Sequence, residues 1–384
     1  MVSLILAGEA VFALPFHITR YYRPTFLEVF SFSNTDLGNA QAVYGVVAVA
    51  AYFLGGPLAD RFSPRNLMVL SLLATGLGGL YMATVPGVWG MAVLWGAWGV
   101  TTIFLFWAAM IKATREWGGT DQQGKAFGLL DGGRGLFAAV LTLAGVVLFQ
   151  TFMPAVPETA TDAERTAALV NVIRCYTAAT FAAALLVWFG VPSGRPAGGG
   201  SQRTIIWNRM REVIKLPVIW TQAVIVVCAR ITTIGAWVRP VAAVVAGLLG
   251  DRFMSSRVAS GGFIIMIVAY AIMGAAALSN LAVPILILEV IITCLAVYGL
   301  RGVYFALLEE GAVPIAVTGT AVGVVSFVGY TPDAFVGPIS GLILDAFPGA
   351  EGQRYFMFFL SGTAVAGLAS SMLYRRLARQ SVSL

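Results

Sequence analysis

Twelve long apolar runs follow one another along the chain, and they constrain its fold more than any other feature. A helix needs about 20 apolar residues to cross a hydrocarbon core roughly 30 Å thick, and most of these runs reach that length. Hydrophobic residues make up 59% of the chain, charged residues 11%, and the mean hydropathy is +0.85. We therefore predict an all-α polytopic membrane protein. The runs span 4–30, 39–59, 66–86, 90–111, 126–153, 168–191, 216–229, 231–250, 258–279, 281–300, 314–344 and 355–374.

A short sequence repeats in the two halves of the chain. Residues 58–62 (LADRF) recur as residues 249–253 (LGDRF), and each copy ends an apolar run with an acid, a base and an aromatic residue. A second echo pairs residues 124–128 (GKAFG) with 319–323 (GTAVG), and small residues at this spacing let helices approach closely. Duplicated halves in a membrane chain indicate a solute transporter.

The duplication predicts two six-helix bundles joined by a linker. We place the N-terminal bundle at residues 1–191, a cytoplasmic linker at 192–215, and the C-terminal bundle with helices 7–12 at 216–384. The linker contains Gly198, Gly199 and Gly200 followed by a basic stretch, which is typical of a flexible surface segment.

The seventh segment is shorter than its counterpart in the first half. The interval from Leu4 to Asp60 holds two spans and a turn, whereas the interval from Leu216 to Asp251 is too short for both. We predict that roughly 20 to 30 residues of helix 7 and the following loop are missing near Cys228 and Arg230.

Basic residues fall on alternate loops, which predicts the orientation because cytoplasmic loops are enriched in Lys and Arg. By this rule both termini are cytoplasmic. The first segment has no basic n-region and no small-residue cleavage site, so we expect it to be retained in the mature protein. We expect the chain to lie in the inner (plasma) membrane as a multi-pass protein. The formal charge of +6 then reflects topology, and we expect a lipid bilayer as partner and no nucleic acid. The basic residues on these loops are Arg61, Arg65, Lys112, Arg115, Lys125, Arg195, Arg203, Arg209, Arg211, Lys215, Arg252, Arg257, Arg375, Arg376 and Arg379.

Charged residues inside the apolar runs are the main functional candidates, because a charge at the centre of a membrane helix costs about 2.5–3.5 kcal/mol. Bases outnumber acids among them, which favours an anionic solute bound by guanidinium groups. The predicted substrate ligands are Arg20, Arg23, Lys112, Arg239 and Tyr330. The predicted coupling or charge network is His17, Asp131, Arg134, Arg301 and Asp333.

Several of these residues have a second interpretation. Arg20 is either an anion ligand or an arginine that extends to the membrane interface, and Lys112 is either a ligand or a loop base. Asp131 and Arg134 lie one turn apart and could form an intrahelical salt bridge. His17, the one histidine of the chain, suits proton coupling but is also compatible with a structural role.

The segment 56–65 (GPLADRFSPR) resembles a signature of the major facilitator superfamily, with Ser63 and Pro64 in place of its usual glycine and first arginine. The resemblance covers nearly the whole chain and implies two six-helix bundles that rock about a central site. It also implies that Asp60, Arg61 and Arg65 gate the cytoplasmic side. By the internal repeat, the second gating motif contains Asp251 and Arg252.

Two branches of that superfamily bear on the substrate. Residues 237–240 (WVRP), followed by Asp251, are similar to helix 8 of nitrate/nitrite porters, although no arginine stands near Ala48, where those porters have a second one. Residues 107–117 and 124–128, together with residues 21–23 (YYR), look like the organophosphate:phosphate antiporter and anion:cation symporter branches. These likenesses imply phosphate esters, organic acids or inorganic anions as solutes.

We therefore expect a secondary active transporter that moves a small anionic solute by alternating access, driven by protons or by anion exchange. The alternative within the same class is a proton-driven exporter of drugs or other lipophilic solutes. A membrane enzyme would need a metal or nucleophile constellation, and the sequence offers none, so we expect no enzymatic activity, no metal and no cofactor. A transport-inactive receptor is a further alternative, and we expect a monomer.

Overall fold

The structure, a computed structural model, describes residues 1–154, 159–193, 211–231, 239–276, 283–332, 346–347 and 349–382, together with positions 336, 339 and 343. Side chains at 34–35, 230–231, 239–241, 283–287 and 380–382 are also outside the description. Within these limits the secondary structure is entirely helical, and each of the twelve apolar runs overlaps a helix. This confirms the predicted all-α fold class.

Two compact units divide the chain. The first comprises Met1–Ala113 and Gly133–Gly199, and the second comprises Thr114–Gly132 and Gly200–Leu384. Two helices each contribute residues to both units. The boundary between the units therefore does not fall at the linker alone. The predicted bundle boundaries at residues 191 and 216 stay a prediction.

Two of the helices up to the linker begin at a capping box. Ser33 and Asp36 form a capping box in which each side chain accepts the other's backbone N–H, and Thr161 with Glu164 repeats this arrangement. Gly119, which has a φ of +61°, supplies the left-handed turn between two of them. These helices are α1 (Val2–Phe12), α2 (Ile18–Tyr21), α3 (Arg23–Val29), α4 (Asn34–Arg61), α5 (Pro64–Met82), α6 (Val88–Gly99), α7 (Ala108–Gly118), α8 (Gln123–Thr151) and α9 (Asp162–Gly190).

Two π-helical segments interrupt this series, Ala13–His17 after α1 and Val100–Trp107 after α6. Side chains of neighbouring helices donate to carbonyls within both segments. The indole of Trp95 donates to the carbonyl of Pro15 at 3.1 Å, and the hydroxyl of Ser71 donates to that of Thr101 at 2.6 Å. π-helical turns within α-helices are frequent at functional sites, so the side chains of these two segments are candidate site residues.

The helices after the linker are α10 (Pro217–Ile231), α11 (Arg239–Phe253), α12 (Ser255–Ala276), α13 (Val283–Val303), α14 (Leu307–Glu310), α15 (Thr318–Gly329) and α16 (Ala350–Val382). A 3₁₀ turn at Ile315–Val317 precedes α15. In the part of the chain that the structure describes, seven helices are long and apolar enough to cross a membrane. Helix α10 has 15 residues and is not among them.

Small residues bring α8 and α11 into backbone contact within the second unit. A Cβ atom on Gly124 would lie 2.3 Å from the carbonyl oxygen of Gly247, and one on Gly128 would lie 2.6 Å from that of Ala243. Only glycine fits at such distances. The expectation that the GKAFG segment allows close helix approach is therefore confirmed.

Candidate functional site

Three buried charged or polar side chains meet inside the first unit. The Glu9 carboxylate lies 3.3 Å from Nε2 of His17 through one oxygen and 3.3 Å from Nε of Arg134 through the other. Exposure is 5% for Glu9, 3% for His17 and 8% for Arg134. We call this set the Glu9 cluster. The Glu9 carboxylate therefore has a basic side chain on each side.

Local geometry explains why these three residues meet. In a regular α-helix eight residues turn by roughly 80° beyond whole turns, so Glu9 and His17 would point in different directions. The π-helical segment that ends at His17 has more residues per turn and returns the imidazole to the side of Glu9. Gly8 leaves room for Arg134, whose Nε donates to the Gly8 carbonyl at 2.9 Å.

Aromatic rings surround the guanidinium group of the Glu9 cluster. The Arg134 guanidinium lies 5.5 Å from the ring centre of Phe12 and 5.9 Å from that of Trp107, distances at which cation–π attraction operates. Tyr52 packs edge-on against Trp107 with ring centres 6.4 Å apart. Trp107 ends the second π-helical segment. Each of the two π-helical segments therefore contributes a side chain, His17 or Trp107, to the Glu9 cluster and its surroundings.

The predicted substrate ligands of the first unit are not gathered at the Glu9 cluster. Arg20 and Arg23 are exposed near the far end of the first span. Lys112 is buried and donates to the carbonyl oxygens of Ala59 at 2.9 Å and Asp60 at 3.3 Å. It therefore contacts the gating motif through the C-terminal end of α4, a position that favours cations.

The first gating motif is partly buried. Asp60 is 1% exposed. The Arg61 guanidinium lies 5.0 Å from the ring centre of Phe62, and that of Arg65 lies 4.6 Å from the ring centre of Trp188. The aspartate is thus inside the unit while both arginines lie against aromatic rings.

The second gating motif caps a helix. The Asp251 carboxylate accepts the backbone N–H groups of Gly124 at 2.6 Å and Lys125 at 2.7 Å, at the N-terminus of α8. A carboxylate at this position satisfies donors that have no partner within the helix and complements the helix dipole. The guanidinium of Arg252 lies 5.3 Å from the ring centre of Phe253. Both repeats therefore pair an arginine with the phenylalanine that follows it.

Arg115 forms a buried ion pair that the sequence did not indicate. It is 1% exposed and donates to the Glu309 carboxylate at 2.9 Å and to the Thr318 hydroxyl at 2.7 Å, and it also donates to the carbonyl of Val313. All four residues belong to the second unit. A planar guanidinium is required to serve acceptors in several directions at once.

The second unit contains a further predicted pair. Nη2 of Arg301 lies 3.9 Å from the Asp131 carboxylate, and its guanidinium lies 5.5 Å from the ring centre of Tyr298. The hydroxyl of Tyr330 hydrogen-bonds that of Tyr304 at 3.1 Å. Arg239 begins α11 but its side chain lies outside the described residues, as does the whole of Asp333.

Sequence reasoning missed two charged residues of these sites, Glu9 and Arg115, and it also missed Glu289, an acid on α13 that is 7% exposed. Glu9 and Glu289 interrupt apolar runs as clearly as Asp131 does, so the same rule could have found them. Counting them reduces the excess of bases over acids on which the anionic solute was argued. Arg115 stands in a run of loop bases, and no sequence pattern distinguishes it from an exposed positive residue.

Comparison with known proteins identifies the family. A profile of the Major Facilitator Superfamily matches residues 5–237, more than half of the chain. The chain belongs to the Major Facilitator Superfamily. It is therefore a multi-pass membrane protein and a transporter of small-molecule solutes, as predicted, and not an enzyme. The narrower resemblance to the organophosphate and nitrate branches stays a prediction.

Two relatives of this superfamily member come from Escherichia coli K12. Inner membrane protein YqcE is 27% identical, with 90% of this chain and 87% of YqcE aligned. Inner membrane protein YihN is 25% identical, with 98% of this chain and 95% of YihN aligned. The YihN alignment spans 418 positions, more than the 384 residues of this chain, so YihN has residues that this chain lacks. The predicted omission in helix 7 stays a prediction.

Solved superfamily structures share the fold. FucP, a Major Facilitator Superfamily transporter in the outward conformation, superposes with a TM-score of 0.70 at 12% identity, covering 97% of this chain and 98% of FucP. The proton:xylose symporter XylE, bound to 6-bromo-6-deoxy-D-glucose, gives 0.66 at 12% identity, covering 97% and 92%. At this identity the similarity establishes the fold alone.

Proposed function

We propose that this chain is a proton-coupled secondary transporter of a small anionic solute that works by alternating access. The Glu9 cluster is the observation that carries the proposal. It places a buried carboxylate between an arginine and a histidine. Glu9 and His17 lie in the first membrane span and Arg134 in the span Gln123–Thr151, where charges without a function are costly.

The chemistry follows from competition for one guanidinium. In the absence of solute, Arg134 balances the negative charge of Glu9. A solute anion that binds Arg134 replaces Glu9 as the counter-ion of the guanidinium, and Glu9 then becomes neutral by accepting a proton, for which the adjacent His17 imidazole offers a route. Anion and proton are thereby bound together, which is the requirement for symport. The same competition favours proton coupling over simple anion exchange.

Arg20, Arg23 and Arg239 extend this proposal as anion ligands. Arg20 is exposed and one helical turn from His17, a placement suited to attracting an anion toward the Glu9 cluster. The relatives YqcE and YihN are named inner membrane proteins, which supports the same location for this chain. We retain the proposals that both termini are cytoplasmic and that the transporter is a monomer.

Two contacts of the second unit are proposed to act as gating elements during this cycle. They are the Asp251 cap on α8 and the Arg115–Glu309 pair. Each holds a charged group by hydrogen bonds that must break if the attached segments separate. The names of FucP and XylE, given as a fucose:proton and a proton:xylose symporter, support proton coupling in this fold.

The test begins with thermal stabilisation of detergent-purified protein by nitrate, phosphate, sugar phosphates, sugar acids and dicarboxylates, because a ligand raises stability by RT ln(1 + [L]/Kd). A stabilising anion is then followed into proteoliposomes under an imposed pH gradient. We expect Glu9→Gln to abolish gradient-driven accumulation, while Glu28→Gln, at an exposed glutamate, leaves it unchanged. Accumulation by Glu9→Gln at the wild-type level would refute the role of the Glu9 cluster.

One observation favours a second candidate, a proton-driven exporter of lipophilic solutes. Phe12, Phe16, Tyr44, Tyr52 and Trp107 form a connected aromatic group beside the acid Glu9. Aromatic surface with one acid suits lipophilic cations. Stabilisation of the protein by such cations, with no effect of any anion in the panel, would select this alternative.

A further inference from the structure

An exposed arginine interrupts an apolar span of the first unit. Arg174 lies in α9, a helix that is long and apolar enough to cross a membrane, and it is the only charged residue of the apolar run 168–191. No hydrogen-bond or ion-pair partner of its guanidinium is found among the described residues. A charge inside a membrane span is costly unless it has a partner. Arg174 therefore requires a partner that the described helices do not supply.

The side of α9 that carries Arg174 is apolar and exposed further along the helix. Arg174, Ala178, Leu185 and Phe189 follow one another at spacings of four, seven and four residues, which places them on one side of an α-helix. Leu185 is 62% exposed and Phe189 is 83% exposed. Large exposed apolar side chains in a row on a membrane span indicate a surface that faces lipid. The missing partner of Arg174 is therefore to be sought in the bilayer.

A groove connects Arg174 with the beginning of α9. Its volume is about 640 Å³, and its polar lining residues are Asp162, Thr166, Asn171 and Arg174. The alanines 83, 163 and 167 also line it, and their small side chains leave the space open. The levels of Asp162 and Arg174 are about 18 Å apart along the helix axis. Because helical side chains point toward the N-terminus of their helix, the guanidinium extends from its own level toward Asp162 and shortens this separation.

The order of charges along the groove selects among the groups that a bilayer offers. A guanidinium binds phosphate oxygens through paired N–H donors, so the deeper end of the groove suits a phosphodiester. Asp162, at the helix start, repels a second negative charge and accepts hydrogen bonds from an ammonium group. Between them, Thr166 and Asn171 can donate to phosphate or ester oxygens. A headgroup with a phosphate on the membrane side and an ammonium on the water side matches this order.

We propose that this groove of α9 binds the headgroup of an aminophospholipid, with the phosphate at Arg174 and the ammonium at Asp162. The acyl chains then lie along the apolar side of the helix, beside Leu185 and Phe189. A phospholipid without an amine offers nothing to Asp162, and a quaternary ammonium has no N–H to donate. The site uses no residue of the Glu9 cluster, so it does not depend on the proposed solute or its coupling.

The test uses the full-length protein in detergent, with phosphatidylethanolamine, phosphatidylcholine, phosphatidylglycerol and inorganic phosphate as separate probes. An apparent Kd follows from the rise in Tm with probe concentration, because a ligand of the folded state raises stability. We expect phosphatidylethanolamine to bind most tightly. Arg174→Gln should weaken its binding at least about tenfold, the loss expected when a charge-assisted hydrogen bond is removed. Arg379→Gln, at an exposed arginine in the last turn of α16, is the matched control and should leave the Kd unchanged.

A second substitution identifies the headgroup. Asp162→Asn should remove the preference for phosphatidylethanolamine over phosphatidylcholine, and a preference that persists would overturn the role of the ammonium. Equal binding of phosphatidylethanolamine by wild type and Arg174→Gln would overturn the proposal and leave Arg174 as an arginine that only extends to water. The same rise in Tm with inorganic phosphate would overturn the lipid as the source of the phosphate. Should Arg174→Gln not fold, Arg174→Leu suits a lipid-facing position, and we expect the same loss of binding from it.

Discussion

Replacing Arg134 by methionine should destabilise the protein because it leaves Glu9 buried without its guanidinium partner. At the observed separation of 3.3 Å, the attraction between the two charges is about 5 kcal/mol at an effective dielectric constant of about 20. Removing one member of a buried pair costs about 3–5 kcal/mol in practice. We therefore expect Arg134→Met to lose about 3 kcal/mol of unfolding free energy.

The double mutant Glu9→Gln/Arg134→Met separates the ion pair from the packing of the arginine stem. With both charges removed, no uncompensated carboxylate remains, and we expect the double mutant to be more stable than Arg134→Met alone by about 2 kcal/mol. Unfolding in detergent with increasing denaturant, followed by tryptophan fluorescence, measures these differences. The nine tryptophans of the chain provide the signal.

The Arg165–Glu28 pair provides the matched control, since its side chains are 27% and 54% exposed. We expect Arg165→Met to cost less than about 1 kcal/mol. The reasoning would be refuted if Arg134→Met and Arg165→Met were equally mild. It would also be refuted if the effects of Glu9→Gln and Arg134→Met were additive, because additivity means that the two side chains do not interact.

Three further substitutions test the second unit. Gly128→Leu should cost about 3 kcal/mol of unfolding free energy, because its Cβ would lie 2.6 Å from a carbonyl oxygen, whereas Gly261→Leu has open space and should be tolerated in the same denaturation assay. Asp251→Asn should lose about 1 kcal/mol by weakening the cap on α8, with Asp121→Asn as an exposed control; equal losses would contradict the capping role. Arg115→Lys should cost about 2 kcal/mol because an ammonium cannot reach all the acceptors of the guanidinium, and a neutral result would show that they are not needed.

Local sequence patterns were sufficient to predict features that depend on neighbouring residues, such as a helix or a close helix contact. The apolar runs predicted the helices because a membrane span needs a fixed length of apolar residues, and the GKAFG segment predicted close packing because glycine alone permits it. The same rules applied to the acids of the apolar runs would have found Glu9 and Glu289.

Contacts between distant segments were not predictable from spacing. The sequence placed His17 and Arg134 in the same charge network but gave no reason for Glu9 to join them, since α-helical periodicity separates Glu9 from His17. Likewise, Arg115 resembles in the sequence any other basic residue of a loop. Only the contact with Glu309 in the folded protein shows that it forms a buried ion pair.

The sequence by itself determined the class of molecule: a helical membrane chain with an internal duplication and few charges inside its spans. Those properties are set by local hydrophobicity and by repeats, which need no knowledge of the tertiary structure. The tertiary structure decided which charges meet. Ion pairing depends on distances of a few ångströms between residues far apart in the chain, and on two π-helical segments that change side-chain direction, so helix packing selected the Glu9 cluster and left Arg20 exposed.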